Sequence, residues 1–123
     1  MEIINTNKAP KALGPYSQGI IANGVVYTSG QLGIDPETNT LLEGIEAQAN
    51  QAFKNISNIL EEGNSDLSLV IKTTLFLSDL ADFSIVNEIY AKYFKSNPAR
   101  SCVEVKKLPK GALLEIEVIS LQK

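Results

Sequence analysis

The 123-residue chain has no histidine, no tryptophan, one cysteine and one methionine. Without histidine there is no Ser-His-Asp or Cys-His nucleophile, no HExxH zinc site and no histidine general base. A single cysteine allows neither an internal disulfide nor a Cys-only metal cluster, and this thiol count suits a reducing compartment. Basic side chains number 11 against 14 acidic ones, a net charge of −3, with a pI near 4.9. No run of lysine or arginine is present, which argues against a nucleic-acid surface, because phosphate neutralisation needs clustered cations. No stretch approaches the roughly 18 uninterrupted apolar residues of a membrane span. The opening MEIINTNKAPKA lacks the apolar core of a secretory signal. The expectation is a cytoplasmic protein with no membrane and no nucleic-acid partner. Its chemistry must come from carboxylates, arginine, tyrosine, small hydroxyls or backbone groups.

What is present fits one domain over residues 1–123. A chain of this size buries roughly two-thirds of its unfolded surface, enough for a single core. Asn23-Gly24 between Ile20–Ala22 and Val25–Ser29 predicts a β-hairpin, since both turn residues tolerate positive φ. Gly30 and Gly33 interrupt the second strand and suggest a bulge or a close backbone approach. Asp35–Asn39 reads as a turn. Ile45, Ala49, Ala52, Phe53, Ile56, Ile59 and Leu60 recur at helical spacing, and Gly63-Asn64 supplies a stop. Leu67–Leu77 is rich in β-branched and aromatic residues and apolar on both faces apart from Lys72 and a few hydroxyls, the pattern of a strand buried on two sides. Ser78-Asp79 and Asp82 cap a second helix with a stripe of Phe83, Val86, Tyr90, Tyr93 and Phe94, ended by Asn97-Pro98. Strands over Arg100–Lys106 and Leu113–Leu121 close a β-β-α-β-α-β-β order. That is an α+β pattern with two helices on one face of a sheet.

Alternation along the last strands sharpens this picture. Leu114, Ile116 and Val118 form an apolar face for the helices, while Leu113, Glu115, Glu117, Ile119 and Leu121 point the other way. The second face would expose aliphatic groups in water and strand charges if buried without partners. A homo-oligomer that covers it and leaves ion-binding pockets at its seams meets both demands.

Among chemistry-bearing residues, Arg100 opens a strand directly after Pro98-Ala99. A guanidinium can fork onto a carboxylate, a charge-assisted contact of roughly 1.5–3 kcal/mol. Taken alone, an ion pair to a glutamate or a solvated cation is the simpler account. Glu115 sits in an apolar strand and shares a face with Arg100 if the two strands are neighbours. A half-buried glutamate there serves as a general base or water anchor, or pairs with Arg100 or a lysine. Cys102 has nothing to activate it as a nucleophile and reads as a small thiol lining a pocket. Asn87, four residues after Phe83 and three before Tyr90, needs a partner in the protein or in a ligand. Gly14-Pro15-Tyr16 is a rigid turn presenting a phenol, for packing or for ligand contact.

Four blocks resemble one family in the same order: GPYSQ (Gly14–Gln18), TSGQ (Thr28–Gln31), DFSIVNEIYAKYF (Asp82–Phe94) and PARSCVEVKKLPKGALLEIE (Pro98–Glu117). They are similar to the RidA (YjgF) family of enamine/imine deaminases. The resemblance implies a chorismate-mutase-like α+β fold assembled as a homotrimer, with a central barrel of sheets and sites in the clefts between subunits. It implies that Arg100 binds the substrate carboxylate and that Tyr16 and Glu115 are catalytic. It places Ser29, Gly30, Asn87 and Cys102 along the substrate pocket. The connection from Phe94 to Pro98 is shorter than in many relatives and lies at the pocket entrance.

The implied reaction is hydrolysis of 2-aminoacrylate and its 2-imino relatives, 2-iminopropanoate and 2-iminobutanoate, to 2-keto acids and ammonia. These substrates are released by pyridoxal-phosphate dehydratases. An imine carbon is already electrophilic, so orientation and a placed water suffice, and no metal or organic cofactor is needed. The alternative is a non-catalytic trimer that binds small carboxylate metabolites in a regulatory role.

Overall fold

The structure, a computed structural model, describes all residues from Met1 to Lys123. Strands β1 (Glu2–Ile4), β2 (Gly19–Ala22) and β3 (Val25–Thr28) are followed by the short β4 (Ile34–Asp35) and β5 (Thr40–Leu41). Helix α1 (Ile45–Glu62) leads to β6 (Val70–Leu77), helix α2 (Phe83–Tyr93) to β7 (Ala99–Glu104), and β8 (Leu114–Leu121) closes the chain. Six strands form one sheet in the order β1-β2-β3-β8-β6-β7, and β4-β5 pair separately. All neighbours in the large sheet are antiparallel except β6 and β7, which α2 joins as a parallel crossover.

The predicted hairpin is present, with Asn23 at φ 51° and Gly24 at φ 75°, both left-handed as a tight two-residue turn requires. The α1 stripe is buried as expected: Ala49, Ala52, Phe53, Ile56, Ile59 and Leu60 are fully enclosed. They pack on Val26, Leu75, Leu77, Leu114, Ile116 and Val118 of the sheet. No helix is long and apolar enough to cross a membrane.

Several expectations need correction. Leu67–Leu69 is a single 3-10 turn, so the strand begins at Val70. Within one chain that strand is buried only on its helix side; Ile71 is exposed, and Lys72, Thr74 and Phe76 are half-covered. Asp82 makes no capping hydrogen bond. Asp79 instead accepts from the Ala81 amide at 2.9 Å and starts a 3-10 turn over Leu80–Asp82. Phe83 is partly exposed, and the buried stripe of α2 runs through Val86, Ile89 and Tyr90, with Phe94 enclosed just past the helix end. Strands β1, β4 and β5 were not predicted; at two or three residues each, they are too short to show alternation.

The sheet's two faces differ as the alternation implied. Leu114, Ile116, Val118 and Ser120 of β8 are buried beneath the helices. On the open face one row crosses all six strands: Ile3, Ile20, Tyr27, Ile119, Lys72 and Ala99 lie in register. Tyr27, Val103 and Leu121 expose 42–45% of their surface there.

Candidate active site

The residues proposed for chemistry fall into two groups on opposite sides of the sheet. Tyr16, Ser29, Gly30 and Glu115 line one cavity of about 410 Å³ together with Lys11 and Lys110. Arg100 and Asn87 line a second, about 430 Å³, against Tyr90 and Phe94.

Register explains the split. Strand β6 lies between β7 and β8. Arg100 pairs with Thr73, which pairs with Val118, and Cys102 with Leu75 and Ile116; these are helix-side positions. Glu115 pairs with Phe76, which pairs with Val103, on the open side. Arg100 and Glu115 therefore do not share a face, contrary to the expectation from strand parity. That expectation required neighbouring strands; β6 lies between β7 and β8, and the register sets Arg100 level with Val118 rather than with Glu115.

Glu115 accepts no hydrogen bond and makes no ion pair within the chain; the one ion pair joins Lys123 and Asp66 at 3.7 Å. Burial, and then the neighbouring charge of Glu117, push its carboxyl above the usual carboxylate range. Gly30 explains how the carboxylate fits: a Cβ at this position would collide with Glu115 Oε2. Gly33 is likewise a close approach: an added Cβ there would collide with the backbone of Gln48. The Gly30 and Gly33 interruption is thus close packing, and Gln31 adds an irregular bridge to Ile116 through bonds of 2.7 and 3.0 Å.

The wall opposite Glu115 is held by groups that sequence reasoning did not single out. Gln18 is buried and accepts from the Thr6 amide at 2.7 Å. Its amide nitrogen donates to the carbonyls of Thr6, Ala9 and Pro10 at 3.0, 3.3 and 2.8 Å. That network ties the N-terminal segment to β2 and leaves Tyr16, which is 55% exposed, at the cavity rim. Ser29 spends its hydroxyl hydrogen on the Ser17 carbonyl at 2.5 Å, so it acts toward a ligand only as an acceptor. Lys110 stands in the left-handed region at φ 58° on the far rim. A left-handed non-glycine residue is the only signal, a structural one, that marks it.

In the second group, Arg100 Nη1 donates to Asn87 Oδ1 at 2.9 Å. The guanidinium carbon lies over the Tyr90 ring at 4.7 Å and the Phe83 ring at 5.5 Å. No carboxylate pairs with it, so the simpler account of Arg100 as half of an ion pair does not hold. Cys102 lies two residues along the same strand face; burial pushes its thiol up, against a smaller opposing pull from Arg100. The thiol is therefore not poised as a thiolate nucleophile.

The family model for endoribonuclease L-PSP matches residues 6–122. The human protein named 2-iminobutanoate/2-iminopropanoate deaminase is 48% identical over 98% of this chain and 89% of its own length. The Arabidopsis thaliana protein named Reactive Intermediate Deaminase A, chloroplastic, is 53% identical over 97% of this chain and 65% of its own. The chain belongs to the RidA family. Among solved RidA-family structures, RidA from Psychrobacter sp. PAMC 21119 superposes with a TM-score of 0.96 at 46% identity, covering 98% of this chain and 99% of that one. Escherichia coli TdcF, solved with bound serine, gives 0.96 at 38% identity over the whole of both chains. The α+β architecture with two helices on one face is thus the RidA-family fold.

Proposed function

We propose that the protein is a homotrimeric deaminase that hydrolyses 2-imino acids at sites formed between subunits. One observation carries the reading: Arg100 has no anion and Glu115 has no cation, and they face opposite sides of the same sheet. A small substrate that needs both must meet them from two chains. The open face supplies the means, since its exposed Tyr27, Val103 and Leu121 favour coverage by a second copy. The names of the human and plant relatives point to the same chemistry.

In this reading Arg100 forks onto the substrate carboxylate. That contact fixes the imine carbon relative to the Glu115 cavity of the adjoining subunit. Glu115, as the carboxylate, holds a water and takes its proton as the oxygen attacks the protonated imine carbon. Glu115 returns that proton to the nitrogen of the tetrahedral adduct, the C–N bond breaks as the hydroxyl proton passes to the departing ammonia, and the products are a 2-keto acid and ammonium. Tyr16 bonds the substrate across the seam, Ser29 accepts from it, and the backbone at Gly30 and the thiol of Cys102 complete the walls. The uncatalysed hydrolysis is not among the slowest reactions, so positioning a reactive substrate beside a base provides acceleration enough.

The test supplies the imine in situ from a pyridoxal-phosphate-dependent threonine dehydratase and follows keto-acid formation with and without the protein. Acceleration by the wild type and its loss in Arg100→Ala are expected; no acceleration removes the deaminase reading.

A binding role without turnover has one observation in its favour: Escherichia coli TdcF holds serine, a small carboxylate. A thermal shift with 2-oxobutanoate together with no imine hydrolysis favours that role. Against RNA cleavage, which the family model's name suggests, stand the net charge of −3 and the lack of histidine.

A further inference from the structure

Arginines in proteins are commonly oriented by a carboxylate, which fixes the guanidinium plane and cancels its charge. Arg100 is oriented differently. Phe83, Asn87 and Tyr90 stand at i, i+4 and i+7 on α2, so they share one helix face. All three reach the guanidinium: the two rings by their faces at 5.5 and 4.7 Å, the amide oxygen through one N–H at 2.9 Å.

The cradle is itself anchored. The Tyr90 hydroxyl hydrogen-bonds Thr73 at 2.8 Å, the residue in register with Arg100 on β6. The Tyr90 ring stacks on Phe94 at 4.5 Å and meets Phe53 edge-on at 6.0 Å. Phe94, Tyr90 and the guanidinium thus form one stack reaching from the core to the surface. Rings cover guanidinium faces and leave in-plane N–H groups free. Asn87 occupies one of the five donors.

Every one of these partners is neutral. We infer that Phe83, Asn87 and Tyr90 are positioning residues that set the plane of Arg100 while leaving its full charge for a planar carboxylate ligand. An aspartate at position 87 would give similar geometry but compete for that charge. The choice of amide over acid is therefore the specificity device. The inference rests on the proposed role of Arg100 in holding the substrate carboxylate.

The experiment measures calorimetric affinity for 2-oxobutanoate and for its uncharged analogue 2-oxobutanamide, with thermal unfolding as a check on folding. Asn87→Asp is expected to weaken acid binding by about tenfold or more, the loss of a charge-assisted contact, with amide binding unchanged. Phe83→Leu, at a partly exposed ring, is expected to weaken acid binding roughly two- to fivefold, and Phe83→Tyr to restore it. Equal acid affinity in Asn87→Asp, parallel loss for both ligands, or no preference of the wild type for the acid overturns the inference. A wild type without imine hydrolysis, whose acid affinity still follows these variants, removes the deaminase reading alone. Active deaminase with KM unchanged in Asn87→Asp removes this inference alone.

Discussion

Arg100 and Glu115 stand on opposite faces of one six-stranded sheet, with β6 between their strands: Thr73 is the register partner of the first and Phe76 of the second. No side-chain rotation brings both onto one small molecule inside a single chain. If the site forms between subunits, two inactive variants must complement each other. Arg100→Ala and Glu115→Gln, each with little activity alone, are to be unfolded together at equal amounts and reassembled. In a cyclic trimer with random mixing, about a quarter of the seams then pair an intact arginine with an intact glutamate. Activity near a quarter of the wild type is the expected result. A mixture as inactive as its components would mean that the two residues do not serve one shared site.

The pH dependence of turnover follows from the surroundings of Glu115. Burial first and Glu117 second raise its pKa above the ordinary 4.5. The carboxylate form is the one that accepts a proton from water, so kcat falls on an acidic limb as the group protonates. Within its own chain the carboxylate is thus held on the high side of the ordinary carboxylate range. In the substrate complex the substrate carboxylate matches the charge of an adjoining arginine, and the protonated imine pulls the limb back down. Glu115→Gln should remove the limb and lower kcat roughly a hundredfold, with KM much less affected. Stopped assays across acidic buffers would show it, and an unchanged limb in the variant would assign the titration to another group.

Gly30 makes room for the Glu115 carboxylate, and the obstacle met by an added methyl is the end of a flexible side chain. Gly30→Ala should therefore leave the fold nearly as stable, within about 1 kcal/mol, while displacing Glu115. Turnover should fall toward that of Glu115→Gln, and the double variant should be no worse than either single one, since both disable the same group. Additive losses would show that Gly30 contributes through its own backbone rather than through Glu115.

Much of this was legible in the residues, and the failures have physical causes. Asn23-Gly24 dictated its hairpin because few other pairs accept two left-handed conformations. The α1 stripe declared itself through helical spacing sustained over several turns. The relation of Arg100 to Glu115 was misread because alternation tells which residues share a face of one strand, not which strands are neighbours. That choice was made by α2, whose crossover places β7 beside β6 in parallel and keeps β8 on the far side. Phe83 was assigned to the core because an aromatic residue at the head of an apolar stripe looks like core. Its place beside Arg100 depends on a strand that lies 17 residues further along the chain. Gln18 and Lys110 carried no periodic signal at all, since one is defined by the carbonyls around it and the other by a left-handed turn.

The open face offers the last test. Val103 is 45% exposed in the isolated chain and lies in register with Phe76, whose other neighbour is Glu115. An aspartate there meets water in a single subunit, so Val103→Asp should fold with its secondary structure intact and little change in the stability of the chain itself. In an assembly that covers this face the same carboxylate would be buried among the apolar side chains of the seam, and burial of an unpaired charge costs several kcal/mol. The variant is therefore expected to sediment as a monomer at micromolar concentration while the wild type sediments as a trimer. Imine hydrolysis should vanish with the assembly even though Arg100, Glu115 and Tyr16 are untouched. A Val103→Asp protein that stays assembled and active would show that this face is not the seam, and the coverage of Tyr27 and Leu121 would need another partner.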